Sequence, residues 1–395
     1  MSEFRFARGF RAAAGRCGLK QSGKPDLSLL VADGPCAAAG VFTTSLVKAA
    51  PVLYDQAVLA ENPAGVRAII ANAGCANACT GDQGDRAAAE MAALAAQAVG
   101  CAPEQVLVLS TGVIGVQLDT AKVARGVAAI APDLAGDQAQ ALAEAIMTTD
   151  TRPKTASATV EIDGVAVTLA GVAKGAGMIH PMMATMLSII TTDAAVAPDL
   201  LQAALREACD ASFNCVTVDG DPSTNDTALL LASGASGATV GAASLARFTA
   251  ALTEVCADLA RQIAGDGEGA TKLVTVTVSG APTVADARAV ARVIARSPLV
   301  KTAVHGGDPN WGRVLAAAGV AGVPLDPRRL ALRFGAVELV AAGTPIGYDE
   351  SQAAAQMAGP EVDITLDLGL GLASGTAWTC DLSAEYVSIN ADYRT

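Results

Sequence analysis

The stretch Val172 to Ala194, VAKGAGMIHPMMATMLSIITTDA, sets a lysine, a glycine turn and an alanine–threonine dipeptide close together near mid-chain. Lys174 to Gly177 is free to adopt positive φ, Pro181 fixes one bend, and MLSII after Thr185 reads as a short buried strand. A threonine hydroxyl is a weak nucleophile until a base takes its proton, and one solution is an N-terminal threonine whose own α-amine is that base. The reference pKa of such an amine, about 7.7–8.0, suits proton transfer near neutral pH. Thr185 is internal as encoded, so this chemistry requires the Ala184–Thr185 bond to be cut, by attack of Thr185 on the preceding carbonyl. That attack and any later acyl transfer both develop an oxyanion, which needs donors set in advance. The Thr111 hydroxyl and Gly112 N–H of STGVIG are the pair the sequence offers. By spacing alone, packing is the commoner role for a threonine before a strand, and a plain chain reversal the commoner role for STGVIG.

Composition bounds the alternatives. A chain of 395 residues, 52% of them hydrophobic, is long enough for two domains or one large duplicated one. No apolar run reaches the roughly 18 residues of a membrane helix, and the arginine-bearing start (Arg5, Arg8, Arg11, Arg16) has no continuous apolar segment of a signal peptide. A cytoplasmic protein is expected. A net charge of −12 without clustered lysine and arginine argues against nucleic acid or anionic membranes as partners. Nine scattered cysteines fit reduced thiols better than a disulfide framework, and His180 and His305 lack the companions of a zinc site, so neither metal nor cofactor is expected.

The elements that must position these groups alternate between sheet and helix. Strand-like runs begin at Leu27, Ala38 and Val66; a helix over Arg86 to Val99, with Asp82 or Asp85 as cap, stops at Gly100. A buried strand from Val106 breaks at Ser110-Thr111-Gly112, and helices follow over Asp119 to Ala131 and Gln138 to Met147, the second capped by Asp137. ATVEIDG and VAVTLAG flank an Asp163-Gly164 hairpin turn. Beyond the central stretch come a helix over Pro198 to Cys209, a strand FNCVTVDG, the polar turn DPSTNDT and a buried run ALLLASG. A long helix over Ser244 to Ala264 carries Leu245, Phe248, Leu252, Val255, Leu259 and Ile263 on one face. LVTVTVSG alternates strictly, Thr283 caps a helix to Arg296, and the remainder, LVKTAVHG included, reads mostly as strand up to Tyr386. The two halves share this grammar, which gives a duplicated α+β layout of sheets covered by helices. Gly369, Gly371 and Gly375 have the spacing GxGxxxG and precede a strand, so they are no dinucleotide fingerprint.

KGAGMIHPMMATML, with STGVIG, IMTTDT, SFNCVTVDGDPSTND, DGEGATK, SPLVKTAVHGGDPNWGR and the terminal YVSINADYRT, resembles the ornithine acetyltransferase (glutamate N-acetyltransferase) family of arginine biosynthesis, over Gly9 to Thr395. The resemblance implies an αββα sandwich of the self-processing N-terminal-threonine acyltransferase type. It implies self-cleavage between Ala184 and Thr185 into an α chain (1–184) and a β chain (185–395), assembled as α2β2. Thr185 is then the nucleophile that takes acetyl from N2-acetyl-L-ornithine and passes it to L-glutamate, with acetyl-CoA as a further donor in members that also start the pathway. Thr111 and Gly112 become the oxyanion hole; Thr148, Lys174, Glu268, Asn390 and Thr395 become substrate contacts, with Thr151 the alternative to Thr148. Acetylornithine carries a carboxylate and an ammonium, so a lysine can hold the first and Glu268 the second. Cys75, Cys215 and Pro222 depart from the residues usual in the family, and touch only local turn geometry. The competing reading on the same fold is an N-terminal-nucleophile amidohydrolase or aminopeptidase, in which water replaces glutamate.

Overall fold

The computed structural model describes residues 4–180 and 186–392. Pro181, Ala184, Thr185 and Thr395 lie outside the described residues. One sheet is built from β1 (Phe10–Gly15), β2 (Leu27–Phe42), β3 (Val66–Cys75), β4 (Val106–Val113), β5 (Lys154–Ile162), β6 (Val165–Lys174), β7 (Leu187–Thr192) and, after the short β8 (Ala195–Val196), β9 (Thr227–Ala232). Its order is β4-β3-β2-β9-β7-β6-β5, with β1 also on β2. The runs from Leu27 and Ala38 are thus one strand rather than two. Its first part pairs with β1 and β3 and its second with β9, so β2 is shared by two half-sheets. β8 pairs with β10 (Thr239–Val240) outside this sheet.

Consecutive apolar residues explain why the halves stack. Side chains alternate faces along a strand, and these strands are apolar on both. Leu30, Ile69 and Leu107 from one half meet Ile189, Leu229 and Leu231 from the other in a common core. Their neighbours point outward: Leu29, Ile70 and Val108 pack under α2 (Gly81–Val99) and α3 (Thr120–Ile130), which cover one half. Ile190 and Leu230 pack under α5 (Pro198–Ala211) and α6 (Ala242–Gly265), which cover the other. The α+β sandwich of helix, sheet, sheet and helix follows directly from this alternation. The Asp163-Gly164 turn closes β5 on β6 with φ of 51° and 80°, in register Ile162↔Val165.

A second sheet, ordered β14-β13-β12-β15-β11-β16, is formed by β11 (Leu273–Ala281), β12 (Ala331–Phe334), β13 (Val337–Ala341), β14 (Thr344–Pro345), β15 (Glu361–Asp367) and β16 (Ala373–Cys380). Val274, Val276 and Val278 face Ala287, Val290 and Ile294 of α7 (Val284–Ala295), whose cap Thr283 accepts from Asp286 N–H.

Helices depart from the sequence reading at several places. α1 (Ala50–Glu61), absent from the sequence reading, carries Pro51 in its first turn, where a missing N–H costs nothing. Ser297-Pro298 ends α7 and also starts α8 (Pro298–His305), with Ser297 Oγ accepting from Val300 N–H at 3.4 Å, so LVKTAVHG is helix and not strand. FNCVTVDG is a 3-10 turn at Phe213–Cys215 followed by extended chain with a single bridge, Val216 to Trp378. The tail folds as α11 (Ala384–Asp392), after α9 (Trp311–Ala318) and α10 (Glu350–Ala355), both also absent from the sequence reading; α4 (Ala139–Ala145) lies earlier, beside the inner core. No helix among the described residues is long and apolar enough to cross a membrane.

Candidate active site

Strand ends from the two half-sheets meet at one cavity. β4 continues through Ser110-Thr111-Gly112 instead of breaking there, with Ala73↔Thr111 and Gly74↔Gly112 in register. Gly112 has φ 131°, and a Cβ on it would overlap the Gly74 carbonyl carbon and stand 2.6 Å from Cys75 N; only glycine fits. Lys174 closes β6 from the other half-sheet. Its side chain is 2% exposed, and its Nζ donates to Thr111 Oγ1 at 3.1 Å. With its oxygen accepting from the ammonium, the Thr111 hydroxyl is left with its own hydrogen to donate elsewhere.

The remaining residues arrive on loops and on the tail helix. Thr148, in the loop after α4, lines the cavity beside Thr149. Thr151 is turned away: its N–H and its hydroxyl both donate to the Asp266 carboxylate. Glu268 follows α6; its N–H donates to Ala176 O at 2.8 Å and its Oε2 accepts from Asn390 Nδ2 of α11 at 2.8 Å. The cavity, of about 130 Å³, gathers Thr111, Gly112, Thr148, Lys174, Glu268 and Asn390, with Asp219, Asp221 and Tyr386 on its wall. The tail, unreadable as structure from sequence, therefore reaches the site through Asn390.

Gly177 is the floor under Glu268. A Cβ there would overlap the Glu268 carboxylate. Gly177→Ala is accordingly expected to push that carboxylate aside and raise KM for a cationic substrate about tenfold or more, with a smaller change in kcat, as steady-state kinetics would show.

Burial is the largest influence on the charged groups. It pushes the Lys174 ammonium below its ordinary pKa, against the opposing pull of Asp150, Asp226 and Glu268 and in the same sense as Lys154. Burial would raise Asp150, yet Lys154, Lys174 and the Gly175 N–H hold it down at about 2. Burial raises Tyr386, helped by the negative charges of Asp219 and Glu268. His180 is lowered by burial and by Arg296 and Arg292, and its Nδ1 lies 3.3 Å from Thr217 Oγ1, outside the cavity lining among the described residues.

Two aspartates, the half-buried Asp219 and the fully buried Asp226, hold the chain on either side of residues 181–185. Asp219 accepts from the N–H groups of Met178 at 2.6 Å and Ile179 at 2.9 Å. Asp226 accepts from Met186 N–H at 3.0 Å, and Met186 O accepts from Thr227 N–H at 3.1 Å. Leu187 is the register partner of Lys174, so the chain re-enters the described structure beside the lysine. Asn225 donates to Ser110 O at 2.9 Å and Ala76 O at 2.7 Å, tying the same turn to β4. None of Asp219, Asn225 and Asp226 is singled out by sequence reasoning, although all lie in VDGDPSTND. Its density of side-chain acceptors was the available signal.

The sequence model of the ArgJ family matches residues 11–395. The arginine biosynthesis bifunctional protein ArgJ of Symbiobacterium thermophilum is 52% identical over 392 residues, 98% of this chain and 97% of that protein. That of Dehalococcoides mccartyi is 49% identical over 393 residues, covering 98% and 96%. A crystal structure of the argJ protein from Bacillus halodurans is similar with a TM-score of 0.52 at 43% identity, over 53% of this chain and 100% of that one.

Proposed function

As the chain belongs to the ArgJ family, we propose that it cuts itself between Ala184 and Thr185 and then transfers acetyl from N2-acetyl-L-ornithine to L-glutamate by a ping-pong cycle on Thr185. The observation that carries this reading is the convergence of Thr111, Gly112, Thr148, Lys174, Glu268 and Asn390, from both half-sheets, two loops and the tail helix, on one cavity. The α chain is 1–184 and the β chain 185–395, and the pairing of β7 and β9 with β6 and β2 keeps the two in one sheet after the cut.

Each step balances on named groups. The Thr185 hydroxyl attacks the acetyl carbonyl, its α-amine takes the hydroxyl proton, and the carbonyl oxygen becomes an oxyanion received by the Thr111 hydroxyl and Gly112 N–H. The ammonium of Thr185 returns that proton to the departing nitrogen, so ornithine leaves as an amine and acetyl stays on Thr185 Oγ. Glutamate's α-amine reverses the sequence. Lys174 binds the substrate carboxylate and orients Thr111; Glu268 binds the substrate ammonium, with Asn390 holding one of its oxygens, and Thr148 and Thr395 complete the contacts. The relatives' designation as bifunctional is compatible with acetyl-CoA as a second acetyl donor. The assembly is α2β2 in the cytoplasm.

Acetylornithine supplied with and without glutamate tests the cycle. The expected result is one equivalent of ornithine per site without glutamate and sustained turnover with it. Sustained ornithine release in water alone would favour the amidohydrolase reading. Asn390→Ala removes a charge-assisted bond to Glu268 and is expected to lower kcat/KM for acetylornithine about 10-fold or more, at about 1.5–3 kcal/mol for a bond to a charged group. An unchanged value would take Asn390 out of the site.

A further inference from the structure

Beside the cavity lies a cluster of three charges whose own side chains are not part of its lining but which is bonded to the lining residue Thr148. Lys154 is fully buried, and its Nζ lies 2.6 Å from Asp150 Oδ1 and 2.6 Å from Asp266 Oδ2. Asp150 Oδ1 also accepts from Gly175 N–H at 2.6 Å and its Oδ2 from Thr148 N–H at 3.0 Å. Asp266 accepts from Thr151 N–H at 3.1 Å and from the Thr151 hydroxyl, and lies two residues before Glu268. All four carboxylate oxygens and the ammonium are therefore satisfied, and every bond runs to a loop bearing a site residue. Ions buried in this way are costly, and apolar replacements often stabilise a fold as well or better. Stability alone is a weak reason for such a cluster.

We infer that Lys154 is a positioning residue of the transfer reaction: clamped between Asp150 and Asp266, it fixes the loops carrying Thr148, Lys174 and Glu268 relative to one another. This rests on the proposed transferase reading. Lys154 and Asp150 precede the cut and Asp266 follows it, so the clamp also spans the two chains and sets Lys174 of one against Glu268 of the other. The cluster acts on Lys174 electrostatically too. The groups facing Lys174 are Asp150, Lys154, Asp226, Glu268 and Lys20, with the Thr111 hydroxyl at its tip. A carboxylate-binding Lys174 must be protonated, so activity falls as pH rises through its pKa. Removing the like charge of Lys154 moves that limb to higher pH; removing the opposite charge of Asp150 moves it to lower pH.

The test uses Asp266→Asn, Lys154→Met, Asp150→Asn and the charge-free triple variant, each as full-length protein after self-cleavage. The single variants are expected to lose about 10- to 100-fold in kcat/KM for acetyl transfer, as displaced substrate contacts do. The basic limb should move up in Lys154→Met and down in Asp150→Asn. The triple variant, with no unpaired buried charge, is expected to fold with a thermal midpoint near the parent's and still show the loss. Parental kcat/KM in a folded triple variant, a triple variant that fails to fold, or limbs that do not move oppositely would each overturn the inference. A parent that transfers no acetyl would instead remove the proposed function.

Discussion

Thr185→Ala is expected to accumulate as a folded, uncut chain of 39.3 kDa with no detectable acetyl transfer. The hydroxyl is required twice, first to attack the Ala184 carbonyl and then to carry the acetyl group, and the α-amine that serves as base exists only after the first event. Folding should survive, because the flanks are held by other groups: Met178 and Ile179 on Asp219, Met186 on Asp226, and Leu187 to Thr192 in the sheet. Denaturing gels read the cut and circular dichroism reads the fold. Thr185→Ser keeps a hydroxyl and is expected to cleave more slowly and retain some transfer, which separates loss of the nucleophile from loss of the loop. Transfer by the alanine variant at a rate comparable with the parent would remove Thr185 from the chemistry.

Thr111→Val is expected to lower kcat about 10²- to 10³-fold, the usual cost, roughly 2.7–4 kcal/mol, of deleting one oxyanion donor. Valine has nearly the volume of threonine, so the tight pairing of β4 with β3 at Ala73 and Gly74 persists. What goes is the hydroxyl hydrogen offered to the oxyanion, together with the oxygen that accepts from Lys174 Nζ at 3.1 Å. The buried ammonium then lacks that partner, so KM should rise as well, through Lys174 rather than through the oxyanion. Self-cleavage passes through an oxyanion too and should slow in parallel. Thr111→Ser, which restores the hydroxyl, is expected to recover most of both rates; if serine is as poor as valine, the threonine methyl and not the hydroxyl is what matters.

Legibility varied with the physical signal each segment carries. β11, with strict alternation, the Asp163-Gly164 hairpin and the one-sided face of α6 are local patterns that tertiary contacts reinforce, and they agree with the structure. LVKTAVHG misled because β-branched residues favour strands, while the Ser297 cap and Pro298 outweigh that preference. α1 went unread, and the role of its buried Asp55, whose Oδ1 accepts from Val108 N–H at 2.7 Å, exists only once β4 is in place. The αββα stacking was absent from periodicity, since strands buried on both faces show continuous apolar runs. For the site, Thr111, Gly112, Lys174 and Glu268 were nameable through the family resemblance, and the fold brings them to one cavity. Asp150, Lys154 and Asp266 were not, because the short Asp150–Lys154 spacing looks like any local charge pair and the partner that completes it, Asp266, lies 112 residues from Lys154.

The central claim is that Thr185, once it is an N-terminus, carries the acetyl group. Purified protein incubated with acetylornithine in the absence of glutamate, then quenched in acid and examined by intact and fragment mass spectrometry, tests it most directly. The account predicts a β chain beginning at Thr185, bearing one added acetyl group on that residue, which disappears on addition of glutamate as acetylglutamate forms. An unmodified β chain alongside released ornithine, or an acetyl group on any other residue, would contradict it.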